Sequence, residues 1–199
     1  MYESYLSDCF PFLRQLVERT SLVSGDIIEC GSARCGTSVM LGKHVQKLGL
    51  RKKIFALDSY GEGFDEKDLQ AEIKSGSTIG ADSRTAFRYI SFDYVNRKVE
   101  KLGLKNVVIP VKGFFRDTLS TLRGPFSLAI IDCDLGTTVR FCLEALLPMM
   151  SSQSLIMVDE YGVSTWSGVR PAVEEFVATN LPHIASVDRS AIRLLIEKN

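Results

Sequence analysis

The chain has 199 residues, 45% of them hydrophobic and 24% charged, enough for one domain with a sizeable core; disorder, collagen and a miniature disulfide scaffold are excluded. Basic and acidic residues balance at 24 each, so no surplus charge stands ready to neutralise a nucleic-acid backbone. No apolar run approaches the length of a membrane span, and the start Met1-Tyr2-Glu3-Ser4 lacks the order of a signal peptide. The expectation is a soluble, cytoplasmic protein with neither a nucleic-acid nor a membrane partner.

With no repeat, low-complexity tract or linker, residues 1–199 are expected to form a single domain. Residues 1–25 form its N-terminal segment. There Tyr5, Cys9, Phe12, Leu13, Leu16 and Val17 recur at helical spacing over the first 20 residues, a stripe that leaves packing against a second copy open.

Short apolar runs then alternate with helical patterns. Strands are expected at 26–30, 53–58, 106–111, 126–132 and 154–160, and helices at 38–48, 87–102, 137–150 and 168–180. Near-continuous apolar strands separated by helices require a parallel sheet covered on both faces. The final runs, 184–188 and 192–197, are joined by only Arg189, Ser190 and Ala191, too short for a crossover helix, and imply an antiparallel hairpin. The predicted fold is therefore α/β, a doubly wound, mostly parallel, Rossmann-like sheet of seven strands with a C-terminal antiparallel hairpin, the plan of class I methyltransferases. Residues 59–85, rich in Gly, Ser, Asp and Lys, make a long connection that serves as a lid or as an irregular insertion.

The five cysteines, Cys9, Cys30, Cys35, Cys133 and Cys142, contain no C-x-x-C pair and read as reduced thiols. His44 and His183 are too few and too isolated for a zinc cage or a histidine-based triad.

The segment Glu29-Cys30-Gly31-Ser32-Ala33-Arg34-Cys35-Gly36-Thr37-Ser38 joins the first strand to the first inter-strand helix. Its glycines permit a tight turn and a close backbone approach, and the helix start at Thr37 and Ser38 offers unpaired N–H groups. A phosphate-gripping loop would need lysine where Thr37 stands. A dinucleotide fingerprint would need glycine where Ala33 stands, which disfavours a nicotinamide-dependent oxidoreductase without removing it. Glu29 would repel phosphates but suits a cofactor with cationic ammonium and sulfonium groups, so S-adenosylmethionine matches best. Asp58, at the end of the second strand, can accept both hydroxyls of a ribose. Asp132, Asp159 and Glu160 also end strands and should converge on one crevice; as an alternative, such acids cap helices or pair with Arg140 and Arg170.

These segments, with Asp58-Ser59-Tyr60-Gly61-Glu62-Gly63, Val111-Lys112-Gly113-Phe114-Phe115-Arg116, Asp132-Cys133-Asp134 and Gly168-Val169-Arg170-Pro171, resemble the macrocin O-methyltransferase family of class I S-adenosylmethionine-dependent enzymes over about residues 26 to 180. The resemblance implies methyl transfer to a hydroxyl acceptor on a sugar or other small natural product. It implies that Ser32, Arg34, Gly36, Ser59 and Gly113 join Glu29, Gly31, Thr37, Ser38 and Asp58 around the cofactor, with Phe114 and Phe115 at the adenine. It also makes Asp132, Asp159 and Glu160 ligands of a divalent metal, with magnesium favoured by the oxygen donors, and Asp132 or Asp134 the proton acceptor. Tyr161 and Trp166, just after the fifth strand, stand where an acceptor would be walled in. Gly136 and Glu160 depart from the family pattern of tyrosine and aspartate, which keeps a non-catalytic cofactor-binding module open as an alternative.

Overall fold

The apolar runs of the sequence pair into one seven-stranded sheet in the order β3-β2-β1-β4-β5-β7-β6. The computed structural model describes residues 6–77, 87–189 and 193–199. Its strands are β1 (Asp26–Cys30), β2 (Ile54–Asp58), β3 (Val108–Lys112), β4 (Phe126–Ile131), β5 (Met150–Val158), β6 (Ile184–Asp188) and β7 (Leu194–Lys198). The first five pair in parallel, while β7 runs antiparallel to both β5 and β6. The expected hairpin is present, with its second strand inserted between β5 and β6.

Seven helices are described: α1 (Phe10–Arg19), α2 (Gly36–Lys47), α3 (Glu66–Lys74), α4 (Phe92–Lys101), α5 (Phe115–Thr121), α6 (Gly136–Leu146) and α7 (Val169–Asn180). On one face of the sheet, α1, α2 and α4 bury residues such as Leu13, Leu16, Val39, Met40, Val95 and Val99. On the other face, α5, α6 and α7 bury Leu119, Val139, Leu143, Val173 and Phe176. Cys9, Leu13, Leu16 and Val17 of the expected stripe are buried in the chain's own core, whereas Phe12 is exposed. All five cysteines are free and buried.

Several boundaries differ from expectation. The helix expected from Phe87 begins at Phe92, because the Ser91 side chain caps it by accepting the Tyr94 N–H. The fifth strand starts at Met150 rather than Ser154, since α6 ends at Leu146 and Pro148 lies in the short turn that follows. The connection after β2 is not wholly irregular: it contains α3, capped by Asp65, which accepts the Lys67 N–H at 2.9 Å. Tyr5, residues 78–85 of the expected lid and Ile192 of the expected last strand lie outside the described residues.

The sheet order reverses between β1 and β4, so the carboxyl ends of β1, β2, β4 and β5 surround a crevice.

Candidate functional site

The crevice is built first from a backbone crossing. At Gly31, with φ of +95°, an added Cβ would lie 1.7 Å from the Asp132 carbonyl oxygen, so only glycine lets the loop after β1 cross the end of β4. Ala33 and Cys35 also adopt left-handed φ values, of 45° and 59°, which bend the loop back into α2. Asp58 clamps this loop to the next: its Oδ2 accepts the Ala33 N–H at 2.9 Å and its Oδ1 accepts the Tyr60 N–H at 2.8 Å. Burial pushes the Asp58 carboxyl above its usual range against these bonds, which pull it down. A second clamp lies beneath: the Tyr60 hydroxyl donates to the Ala56 carbonyl at 2.9 Å and lies 2.6 Å from Ser32 Oγ. Nothing in the local sequence around Tyr60 signals that role, because its phenol reaches back under the preceding strand.

A cavity opens above these clamps. Gly31, Asp58, Ser59, Gly113, Phe114 and Phe115 line one part of it, and Asp132, Asp134 and Glu160 line another. Ala33 of the glycine loop lines it too, and the other predicted residues of the loop lie behind or outside it. Glu29 is buried beneath the loop and accepts a short hydrogen bond from the Ser38 hydroxyl; burial pushes its carboxyl up to about 8. Ser32, Gly36 and Thr37 are not on the cavity wall, and Arg34 lies over the Tyr89 ring at 5.1 Å. Glu29, expected at the cofactor, is thus bonded to the first turn of α2 and lies outside the cavity lining.

Asp132, Asp159 and Glu160 do converge, each offering an oxygen within 4.8 Å of the others. Burial raises the Asp132 carboxyl to about 7, with a hydrogen bond from Glu160 opposing it, and raises Asp134 and Glu160 further, helped by the charge of Asp132. Glu160 Oε2 is buried without a hydrogen-bond partner. Three carboxyl groups, with an unpaired buried oxygen among them, offer the all-oxygen donor set that fits a hard divalent cation. Neither Arg140 nor Arg170 serves these acids: Arg140 pairs with Glu144 and Glu175, and Arg170 lies over the Tyr161 ring at 4.8 Å. Arg193 does reach them, with Nε 2.5 Å from Asp159 Oδ1.

Another wall of the cavity is formed by the segment before and along α3. Phe64, on the cavity wall, packs edge-on against Phe87 at 5.5 Å and against Trp166 at 6.0 Å between ring centroids. Trp166 thus backs the wall, whereas Tyr161 is buried and donates to Glu174, away from the cavity. Two carboxylates fasten α3 in place. Asp68 accepts from the Thr138 hydroxyl at 2.9 Å and pairs with Arg116 at 3.0 Å. Glu72, only 1% exposed, accepts the Gly136 N–H at 2.7 Å and the Gly168 N–H at 3.0 Å, so the starts of α6 and α7 share one carboxylate. This explains Gly136: a Cβ there would lie 2.3 Å from the Gly168 carbonyl oxygen, and one at Gly168 would lie 2.4 Å from Glu72 Oε2.

The profile of a family described as Macrocin-O-methyltransferase (TylF) matches residues 11–192 of the chain. A curated relative from Streptomyces olivaceus, an 8-demethyl-8-(2,3-dimethoxy-alpha-L-rhamnosyl)-tetracenomycin-C 4'-O-methyltransferase, is 25% identical over 168 residues. That alignment takes in 77% of this chain, and the chain spans 58% of the relative's length. Among solved structures, the O-methyltransferase NovP superposes with a TM-score of 0.75 and 22% identity, over 96% of this chain and 79% of that one. The calicheamicin methyltransferase CalS11 gives a TM-score of 0.75 at 16% identity, over 98% of this chain and 80% of its own.

Proposed function

The chain belongs to the macrocin O-methyltransferase family, and from that premise we propose that it transfers a methyl group from S-adenosylmethionine to a hydroxyl on a sugar of a small natural product. The observation that carries the proposal is the single cavity wall that brings Gly31, Asp58 and Phe114 together with Asp132, Asp134 and Glu160. Family membership favours this over the nicotinamide oxidoreductase alternative, as does Ala33 in the glycine loop. The sugar acceptor rests on the Streptomyces olivaceus relative, whose name places a rhamnosyl group on its substrate.

In this proposal S-adenosylmethionine supplies an electrophilic methyl group. Asp58, fixed by two backbone N–H groups, turns its remaining lone pairs to the ribose hydroxyls, and Phe114 and Phe115 flank the base. Glu29 and Ser38 act from beneath by holding the loop against α2. Asp132, Asp159 and Glu160 would hold a divalent ion, magnesium being favoured by oxygen donors, and such an ion lowers the pKa of a coordinated hydroxyl. Either Asp132 or Asp134, both on the cavity wall, would take the hydroxyl proton when ionised. The aromatic wall of Phe64, backed by Trp166, excludes water and receives the apolar face of the acceptor ring.

Residues 1–199 then act as one domain, with α3 the helical part of the covering segment over residues 59–77. No helix among the described residues is long and apolar enough to cross a membrane. The test is turnover: the protein, S-adenosylmethionine and magnesium are incubated with a panel of rhamnosylated and other deoxysugar glycosides, and products are weighed by mass spectrometry. A product heavier by one methylene, absent with Asp132→Asn, is expected. No product across the panel from a chain that binds the cofactor would favour the non-catalytic module.

A further inference from the structure

Arg193 immediately precedes β7 and enters the strand-end acids from the side, its side chain 18% exposed. Its Nε lies 2.5 Å from Asp159 Oδ1, yet neither atom has a hydrogen-bond partner, so the two meet as charges without the alignment of an N–H···O bond. On the other side, Nη2 reaches both carboxylate oxygens of Asp8 at 3.3 Å. The guanidinium is therefore shared between a buried carboxylate of the candidate metal set and an exposed one outside it.

We propose that Arg193 is a built-in counter-cation that competes with the divalent ion for Asp159 and so sets how tightly Asp132, Asp159 and Glu160 hold it. The inference rests on the metal-site part of the proposed function. A fixed positive charge in contact with one ligand reduces the negative potential that a dication meets, and a dication feels that reduction twice over. The contact with Asp159 is also poorly directed, so it yields more readily than a two-bonded fork would. Asp8 gives the guanidinium somewhere to go: as a cation takes Asp159, Arg193 moves its weight to the exposed carboxylate, with which it already makes two bonds. Metal exchange is thereby coupled to a small displacement of the Arg193 side chain toward Asp8.

The test is titration of manganese into the full chain saturated with S-adenosylhomocysteine, followed by calorimetry and by the electron paramagnetic resonance of free manganese. Arg193→Met is expected to bind manganese at least tenfold more tightly than the parent, and Asp8→Asn to bind it severalfold more weakly, because the guanidinium then has Asp159 alone. Unchanged or weaker binding by Arg193→Met, or tighter binding by Asp8→Asn, would overturn the inference. Should Arg193→Met not fold, Asp8→Asn alone still decides by its sign. Absence of manganese binding in every variant that still takes up S-adenosylhomocysteine would sink this inference and leave the cofactor reading standing. Failure of the parent to bind S-adenosylhomocysteine would instead sink the cofactor reading.

Discussion

Asp58 joins two tasks, because the same two oxygens that hold the loops after β1 and β2 together also face the cavity. Replacement by Ala removes a charged acceptor and frees the Ala33 and Tyr60 N–H groups. S-adenosylhomocysteine affinity measured by calorimetry should fall by about tenfold to a hundredfold, from a loss of ~1–3 kcal/mol; an unchanged dissociation constant would contradict the ribose role. Gly31 is more severe, since a Cβ 1.7 Å from a backbone oxygen forces β1 and β4 apart, and Gly31→Ala should lower the melting temperature as well as abolish cofactor binding. Glu29 predicts a pH dependence. Its native carboxyl holds its proton up to about 8, whereas the unfolded chain releases it near 4.5, so over that interval the native state binds more protons and stability falls as pH rises. Denaturant titrations from about pH 5 to 8 should show a loss approaching ~1 kcal/mol per pH unit in the parent and a visibly flatter profile in Glu29→Gln; identical profiles would mean that Glu29 is ionised in the fold.

Among the elements, α3 is the one whose placement depends on buried charge rather than on an apolar stripe. Leu69 is its buried hydrophobic anchor, while Asp68 and Glu72 make the directed contacts to α5, α6 and α7. Glu72→Ala would strand the buried Gly136 N–H and the half-buried Gly168 N–H at the starts of α6 and α7, costing about 2–3 kcal/mol. Hydrogen exchange should then quicken in α3 and in the first turns of α6 and α7, with the central strands still protected; exchange confined to its parental rate in α3 would contradict the latch. Because Gly136 lies shortly after Asp132 and Asp134, loosening the latch should also raise the acceptor KM more than it lowers kcat. The sequence could not show this. Glu72 meets Gly136 and Gly168 only after the sheet has brought three distant segments to one end, and no local pattern marks a carboxylate that caps helices other than its own. The absence of tyrosine at Gly136 looked like a departure from the family and is instead the space that α7 and Glu72 occupy.

At the scale of the whole molecule, the sheet was the most legible feature because its strands are apolar on both faces and its helices carry complementary stripes. Strand ends follow from strand direction, which is why the sequence alone places Asp58, Asp132, Asp159 and Glu160 at one crevice. Side-chain direction was less legible. Glu29 has its carboxyl turned under the loop toward Ser38, and Arg193 comes to Asp159 from the far end of the chain, a pairing that depends on β7 lying beside β5. The central claim is that this crevice receives S-adenosylmethionine, and calorimetric titration with S-adenosylhomocysteine, beside a nicotinamide dinucleotide control, tests it most directly. The account predicts one site per chain for S-adenosylhomocysteine, weakened by Asp58→Ala, and no binding of the dinucleotide. A folded protein that ignores S-adenosylhomocysteine, or that takes the dinucleotide in its place, would contradict it.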